Sequence, residues 1–117
     1  ASVPAGWPRD LPPAGTEEFD AKVCGWLLDR GPADLRLSPV RTMPVALSRI
    51  VARWTDAALE GMRGAYGAAR VELAGVMPPD QVAVAQSAIE AEGARLLQVQ
   101  REIALVEAAI RRQAGEI

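Results

Sequence analysis

Two long stretches of the chain repeat apolar residues at steps of three and four, the spacing of one face of an α-helix. Pro44 and Pro79 stand where a first helical turn tolerates proline, and Gly75 with Pro78 ends the first stretch. These signals predict helices over residues 44–75 and 79–114. The first stripe is Leu47, Val51, Trp54, Ala58, Met62, Tyr66, Ala69, Leu73 and Val76. The second is Val82, Ala85, Ile89, Glu92, Leu96, Val99, Ile103, Val106 and Ile110.

The link between the two helices is only a few residues long, so the helices are expected to lie side by side and antiparallel. The numbers of facing residues then add to about 156, because each step forward on one helix is a step back on the other. This register pairs Leu47 with Ile110, Leu59 with Leu96 and Trp54 with Ile103. The two stripes meet, which predicts an all-α fold built on a long, coiled-coil-like helical hairpin.

The N-terminal part predicts a Pro-rich arm at 1–15, a short helix at 16–30 and a connector at 31–43. Thr16 is a favourable N-cap ahead of two acidic residues, and Gly31 with Pro32 stops the helix. So short a helix is marginal alone and must pack on the hairpin. We expect the arm to dock as well, since Trp7 is costly to leave in water; an arm without buried anchors is disordered instead. Residues 16–117 then form a single helical domain.

Glu92 interrupts the second stripe at a position where burial of an unpaired charge is costly. Arg63 lies opposite in the predicted register, so one hypothesis is an Arg63–Glu92 ion pair across the hairpin. In the alternative, Glu92 tilts out to solvent and Gly93 makes room for it.

Gly61, Gly64 and Gly67 recur at every third position of the first hairpin helix. An interior glycine costs a helix up to about 1 kcal/mol relative to alanine. Three interpretations stay open: close approach of another helix, for example across a dimer axis; a bend; or sequence drift that packing tolerates.

Composition argues against catalysis. The chain has no histidine, the usual general base, and no phosphate-binding or nucleophile motif. Its one cysteine, Cys24, cannot form an internal disulfide, and the common Cys/His zinc sites are excluded. We therefore expect neither enzymatic activity nor a cofactor or metal. The carboxylates of the second hairpin helix are interpreted as a solvated face, and Cys24 as a buried, inert side chain.

Net charge is −2, which is unlike the basic total of most nucleic-acid-binding modules. Residues 30–53 nevertheless hold five arginines and one acidic residue, Asp34. If four of them gather at the open end of the hairpin, they form a basic patch for phosphate or an acidic partner: Arg36, Arg41, Arg49 and Arg53. Alternatively they are ordinary surface arginines, some paired with Glu107 or Glu116.

The hairpin has more apolar surface than its seam, the line of contact between its two helices, can bury. The short N-terminal helix is too short to cover the rest of that surface. We therefore expect a non-enzymatic protein–protein interaction module, a helical-hairpin adaptor or scaffold that self-associates, with a homodimer as the expected form. Trp7, Trp54 and Tyr66 are the candidate anchors, although a position in the chain's own core is the plainer interpretation of Trp54. The alternative is a nucleic-acid-associated regulator using the basic patch. No membrane span or signal peptide is recognisable, so a cytoplasmic location is expected.

Overall fold

The computed structural model describes residues 3–116, so the first two positions of the predicted arm lie outside the described residues. Its α-helices are α1 (Glu17–Leu28), α2 (Pro44–Leu73) and α3 (Pro79–Gln113), with short 3-10 helices at Ala33–Leu37 and Pro39–Thr42 in the connector. The predicted fold class is confirmed: a long antiparallel α2–α3 hairpin carries a short N-terminal helix and a Pro-rich arm.

The hairpin sets the dimensions of the molecule. Helices of 30 and 35 residues are about 45 and 52 Å long at 1.5 Å per residue, and the longest axis of the molecule is 55 Å. Gly75, at a φ of +75°, supplies the left-handed backbone that the tight link requires. Gln100 Nε2 donates to Asp56 Oδ1 across the hairpin at 2.8 Å, which agrees with the predicted register.

The seam of α2 differs in detail from the predicted stripe. Thr55, not Trp54, is buried beside Val51, while Trp54 remains 48% exposed. Burial of Thr55 is possible because its hydroxyl donates to the carbonyl of Val51 at 2.9 Å, so no polar group is left without a partner. Trp54 is therefore not part of the buried contact between α2 and α3.

The arm and α1 close a core at the open end of the hairpin. Thr16 caps α1 by accepting from the Phe19 amide at 3.1 Å, and Phe19 is fully buried. The Trp7 ring packs on Phe19 with centroids 6.0 Å apart, and its indole N–H donates to the carbonyl of Leu11 at 3.0 Å. The predicted docking of the arm is therefore observed.

This core does not extend along the whole hairpin. Helix α2 contributes Leu47 and Val51 to this core, and α3 contributes only Val99 and residues C-terminal to Val99. We call residues 59–97 the outer hairpin. In that segment α2 and α3 bury Leu59, Ala69, Val82 and Leu96 against each other, and α1 contributes nothing to the seam. Among the residues that the structure describes, the outer hairpin thus has no third layer packed on it.

Candidate functional site

The outer hairpin carries an apolar groove between α2 and α3, with a volume of about 560 Å³. Helix α2 contributes one wall and α3 the other, and Gly93 leaves the floor open because a Cβ built there meets no heavy atom within 4 Å. The apolar side chains of the walls are Leu59, Met62, Tyr66, Ile89 and Leu97. A concave, mostly apolar surface of this volume is typical of a binding site.

One charge of each sign stands on the edges of this groove. Arg63 belongs to the α2 wall and Glu90 to the α3 wall, and Glu90 is exposed. Arg63 makes an ion pair with Glu60 one turn earlier, at 3.6 Å, but both side chains are more than 60% exposed. An ion pair so exposed contributes little, so Arg63 is available to a partner.

Of the three aromatic anchors predicted from sequence, only Tyr66 lies in the groove, where it is 43% exposed. Trp54 precedes it by twelve residues, which places the two about 120° apart around α2. The exposed Trp54 instead continues a second apolar patch, formed with Met43 and Ile50 at helical spacing. Trp7 is 9% exposed and belongs to the core of the arm.

A polar contact that no pattern in the sequence predicts fixes the arm to α1. Asp10 accepts from the Trp26 indole N–H at 2.9 Å and from the Arg30 guanidinium at 3.1 Å. The guanidinium of Arg30 also lies 3.9 Å from the centre of the Trp26 ring, a cation–π contact. Partial burial alone raises the pKa of the Asp10 carboxyl, but the hydrogen bonds from Trp26 and Arg30 outweigh it and bring the pKa below its ordinary value.

The hypothesis of an Arg63–Glu92 ion pair across the hairpin is wrong. Glu92 pairs instead with Arg95, three residues later on α3, and Arg63 with Glu60. The side chain of Glu92 is 43% exposed, so it leaves the seam for solvent, as in the alternative interpretation. The hydrogen bond from Arg95 lowers the pKa of the Glu92 carboxyl, and partial burial opposes this only in part.

Gly61, Gly64 and Gly67 all lie inside α2 on exposed positions. A Cβ built on any of them meets no heavy atom within 4 Å. No other helix of the described chain therefore approaches them closely, and a glycine is not required at these positions by contacts within the chain.

The four arginines of the predicted basic patch have different environments. Arg36 pairs with Asp29 and Arg49 with Glu116, the second as the alternative interpretation expected. Arg41 donates to the carbonyl of Ser38 at 3.1 Å, and Arg53 is exposed on α2. Two of the four positive charges are thus neutralised by acidic residues of the same chain.

Other sites for chemistry are sparse. Cys24 is half-buried, and burial raises the pKa of its thiol, which disfavours the reactive thiolate. Across residues 3–116 no group of three or more His, Cys, Asp or Glu side chains is arranged to hold a metal ion. Within the same range, no helix combines the length and the hydropathy that a membrane span needs.

The comparisons with known proteins assign the chain to no family. No family model matches it, and neither curated proteins nor solved structures include a match.

Proposed function

We propose that this chain is a non-enzymatic protein–protein interaction module, a helical-hairpin adaptor or scaffold whose binding surface is the apolar groove. The observation that carries the proposal is the missing third layer: the arm and α1 cover the hairpin at one end, while the groove of the outer hairpin stays open. Closing the groove with another polypeptide removes its apolar walls from water, at about 25 cal/mol for each Å² buried.

The residues of the groove support this proposal. Tyrosine and methionine are enriched in protein interfaces, and the groove presents Tyr66 and Met62 side by side with Leu97 on the facing wall. The two charges stand on the edges, where solvent reaches them. An apolar centre with a polar edge is the common arrangement of a protein interface.

Position-specific photo-crosslinking in the native cell tests the proposal. A photoreactive phenylalanine derivative replaces Tyr66 in the groove or, as the matched control, Val71, which is 79% exposed outside it. We expect a covalent adduct with a protein, either another copy or a different chain, from position 66 and not from position 71. Adding Leu97→Asp on the opposite wall should abolish that adduct. No adduct at position 66, or equal adducts at both positions, refutes the proposal.

A further inference from the structure

We propose that the occupant of the apolar groove is a second copy of this chain, packed so that α2 of each copy lies over α3 of the other. This inference rests on the proposed function and specifies the partner. The two-fold axis runs parallel to the helices, so the closed ends of the two hairpins lie together. The product is a four-helix bundle in which the two grooves form the centre of the interface.

The exposed area is of the size that such a dimer needs. A compact monomer of 12.4 kDa has an accessible surface of about 6,100 Å², whereas this chain has 7355 Å². On the side of the groove, the open face continues beyond the outer hairpin to a second shallow groove lined by Ala52 and Gln100. From Ala52 to the end of α2 this face is about 33 Å long and two helices, or about 20 Å, wide. That gives roughly 650 Å² of flat area, close to the ~800 Å² that each partner contributes to a standard interface.

The charges on the groove select the orientation of the second copy. In the antiparallel hairpin, residue 63 lies level with residue 93, only one turn from Glu90. A two-fold axis parallel to the helices therefore sets Arg63 of each copy over Glu90 of the other. An axis that runs across the helices at the centre of the groove lays α2 on α2 and sets Arg63 against itself, a like-charge contact that costs affinity.

A second pair of charges favours the same orientation of the second copy. Asp56 lies level with Gln100, as their hydrogen bond shows, and Arg101 is the next residue along α3. Arg101 follows the groove residue Leu97 by four positions and therefore shares its face of the helix. The parallel two-fold axis sets Asp56 of each copy over Arg101 of the other. Both opposite-charge pairs occur twice in the dimer.

Charge-swap variants test the arrangement. Arg63→Glu places two Glu–Glu contacts in the dimer, and Glu90→Arg places two Arg–Arg contacts, so each variant alone should self-associate on the order of tenfold more weakly than the parent chain. Mixed in equal amounts, the two variants should form a heterodimer of parental affinity, since both contacts are then opposite in charge. Arg53→Glu and Glu72→Arg, exposed residues of α2 outside the groove, are the matched controls and should leave the affinity unchanged.

Light scattering over a concentration series measures the solution mass of the parent chain, of each variant and of the equimolar mixture. A parent chain that stays monomeric at every concentration overturns the inference, while a crosslink from Tyr66 to a different protein would leave the proposed function in place. A dimer that neither swap weakens, or whose variants do not recover on mixing, overturns the parallel arrangement alone. The absence of any crosslink from Tyr66 refutes the proposed function itself.

Discussion

Replacement of Gly61, Gly64 and Gly67 by alanine is expected to stabilise the fold. All three lie in the interior of α2, are exposed, and have room for a methyl group. Glycine in an exposed helix interior is about 0.8–1.0 kcal/mol less favourable than alanine, because it loses more backbone freedom on folding. If the three changes act independently, the triple variant gains about 2.5 kcal/mol in the free energy of unfolding.

Thermal unfolding followed by far-UV circular dichroism measures the gain. The entropy of unfolding is about 2.1 cal/mol/K per residue, or roughly 0.25 kcal/mol/K for a chain of this length. The triple variant should therefore melt about 10 °C higher than the parent chain. Urea unfolding should show a higher midpoint with an unchanged slope, because the change adds little buried surface.

Two other glycines serve as controls in which the same substitution should destabilise. At Gly75 the φ of +75° is costly for alanine, by about 1 kcal/mol or more. At Gly31 an added Cβ lies 2.9 Å from Val51 Cγ2, so the packing between the connector and α2 must shift. Whether a Gly→Ala substitution raises or lowers the free energy of unfolding therefore depends on the backbone φ angle and on the space around the new Cβ, and not on the residue type alone.

A triple variant with an unchanged or lower melting temperature would refute this reasoning. It would show that these positions need glycine for a contact that the isolated chain does not make. The groove does not include them, so the solution mass of the triple variant should equal that of the parent chain. Loss of self-association in the variant would instead favour the close approach of a partner helix at the glycines.

Two further predictions concern the arm and the second apolar patch. Asp10→Asn should lower the free energy of unfolding near neutral pH by less than about 1 kcal/mol, since the Asp10 side chain is 64% exposed to screening solvent. Because the folded pKa of Asp10 is lowered, the contribution of Asp10 is present above about pH 4 and is lost as pH falls further. Urea unfolding at several pH values checks this, and a difference that persists at the lowest pH contradicts it. Trp54→Ala should cost under about 1 kcal/mol because Trp54 is half exposed, whereas Leu47→Ala, at a fully buried position, should cost about 2–5 kcal/mol. Equal losses for these two variants in the same unfolding assay would contradict the assigned seam.

The hairpin is predictable from sequence because its determinants are local and repeated. Prolines begin both helices, Gly75 provides the link, and a short link leaves only an antiparallel arrangement. The register follows from the length of the link, and the hydrogen bond between Asp56 and Gln100 agrees with it.

The seam of α2 was predicted less well, because hydropathy alone ranks Trp54 above Thr55. The structure buries the threonine, whose hydroxyl is satisfied by the helix backbone. Glu92 was likewise paired with the wrong arginine. Residues three apart on a helix are neighbours whatever the helix packs on, so Arg95 is within reach of Glu92.

The candidate site was predictable only in part. An excess of apolar surface follows from composition and helix length, and Tyr66, one of the candidate anchors, lies in the groove. The groove itself depends on where α1 stops, and the contact of Asp10 with Trp26 and Arg30 joins residues 16 and 20 positions apart. Long-range side-chain contacts of this kind leave no periodic signal in the sequence.

Because the core ends at Val99 on α3, the two ends of the hairpin are expected to differ in how readily they unfold locally. A helix pair that has a third layer at one end and none at the other is held less firmly at its outer turns, so we expect these turns to open locally more often than the core, below the global unfolding transition. A ligand that closes the groove adds the missing layer and so suppresses this local opening. Binding and the ordering of the outer turns are then a single coupled equilibrium, in which affinity is reduced by the conformational entropy that those turns lose.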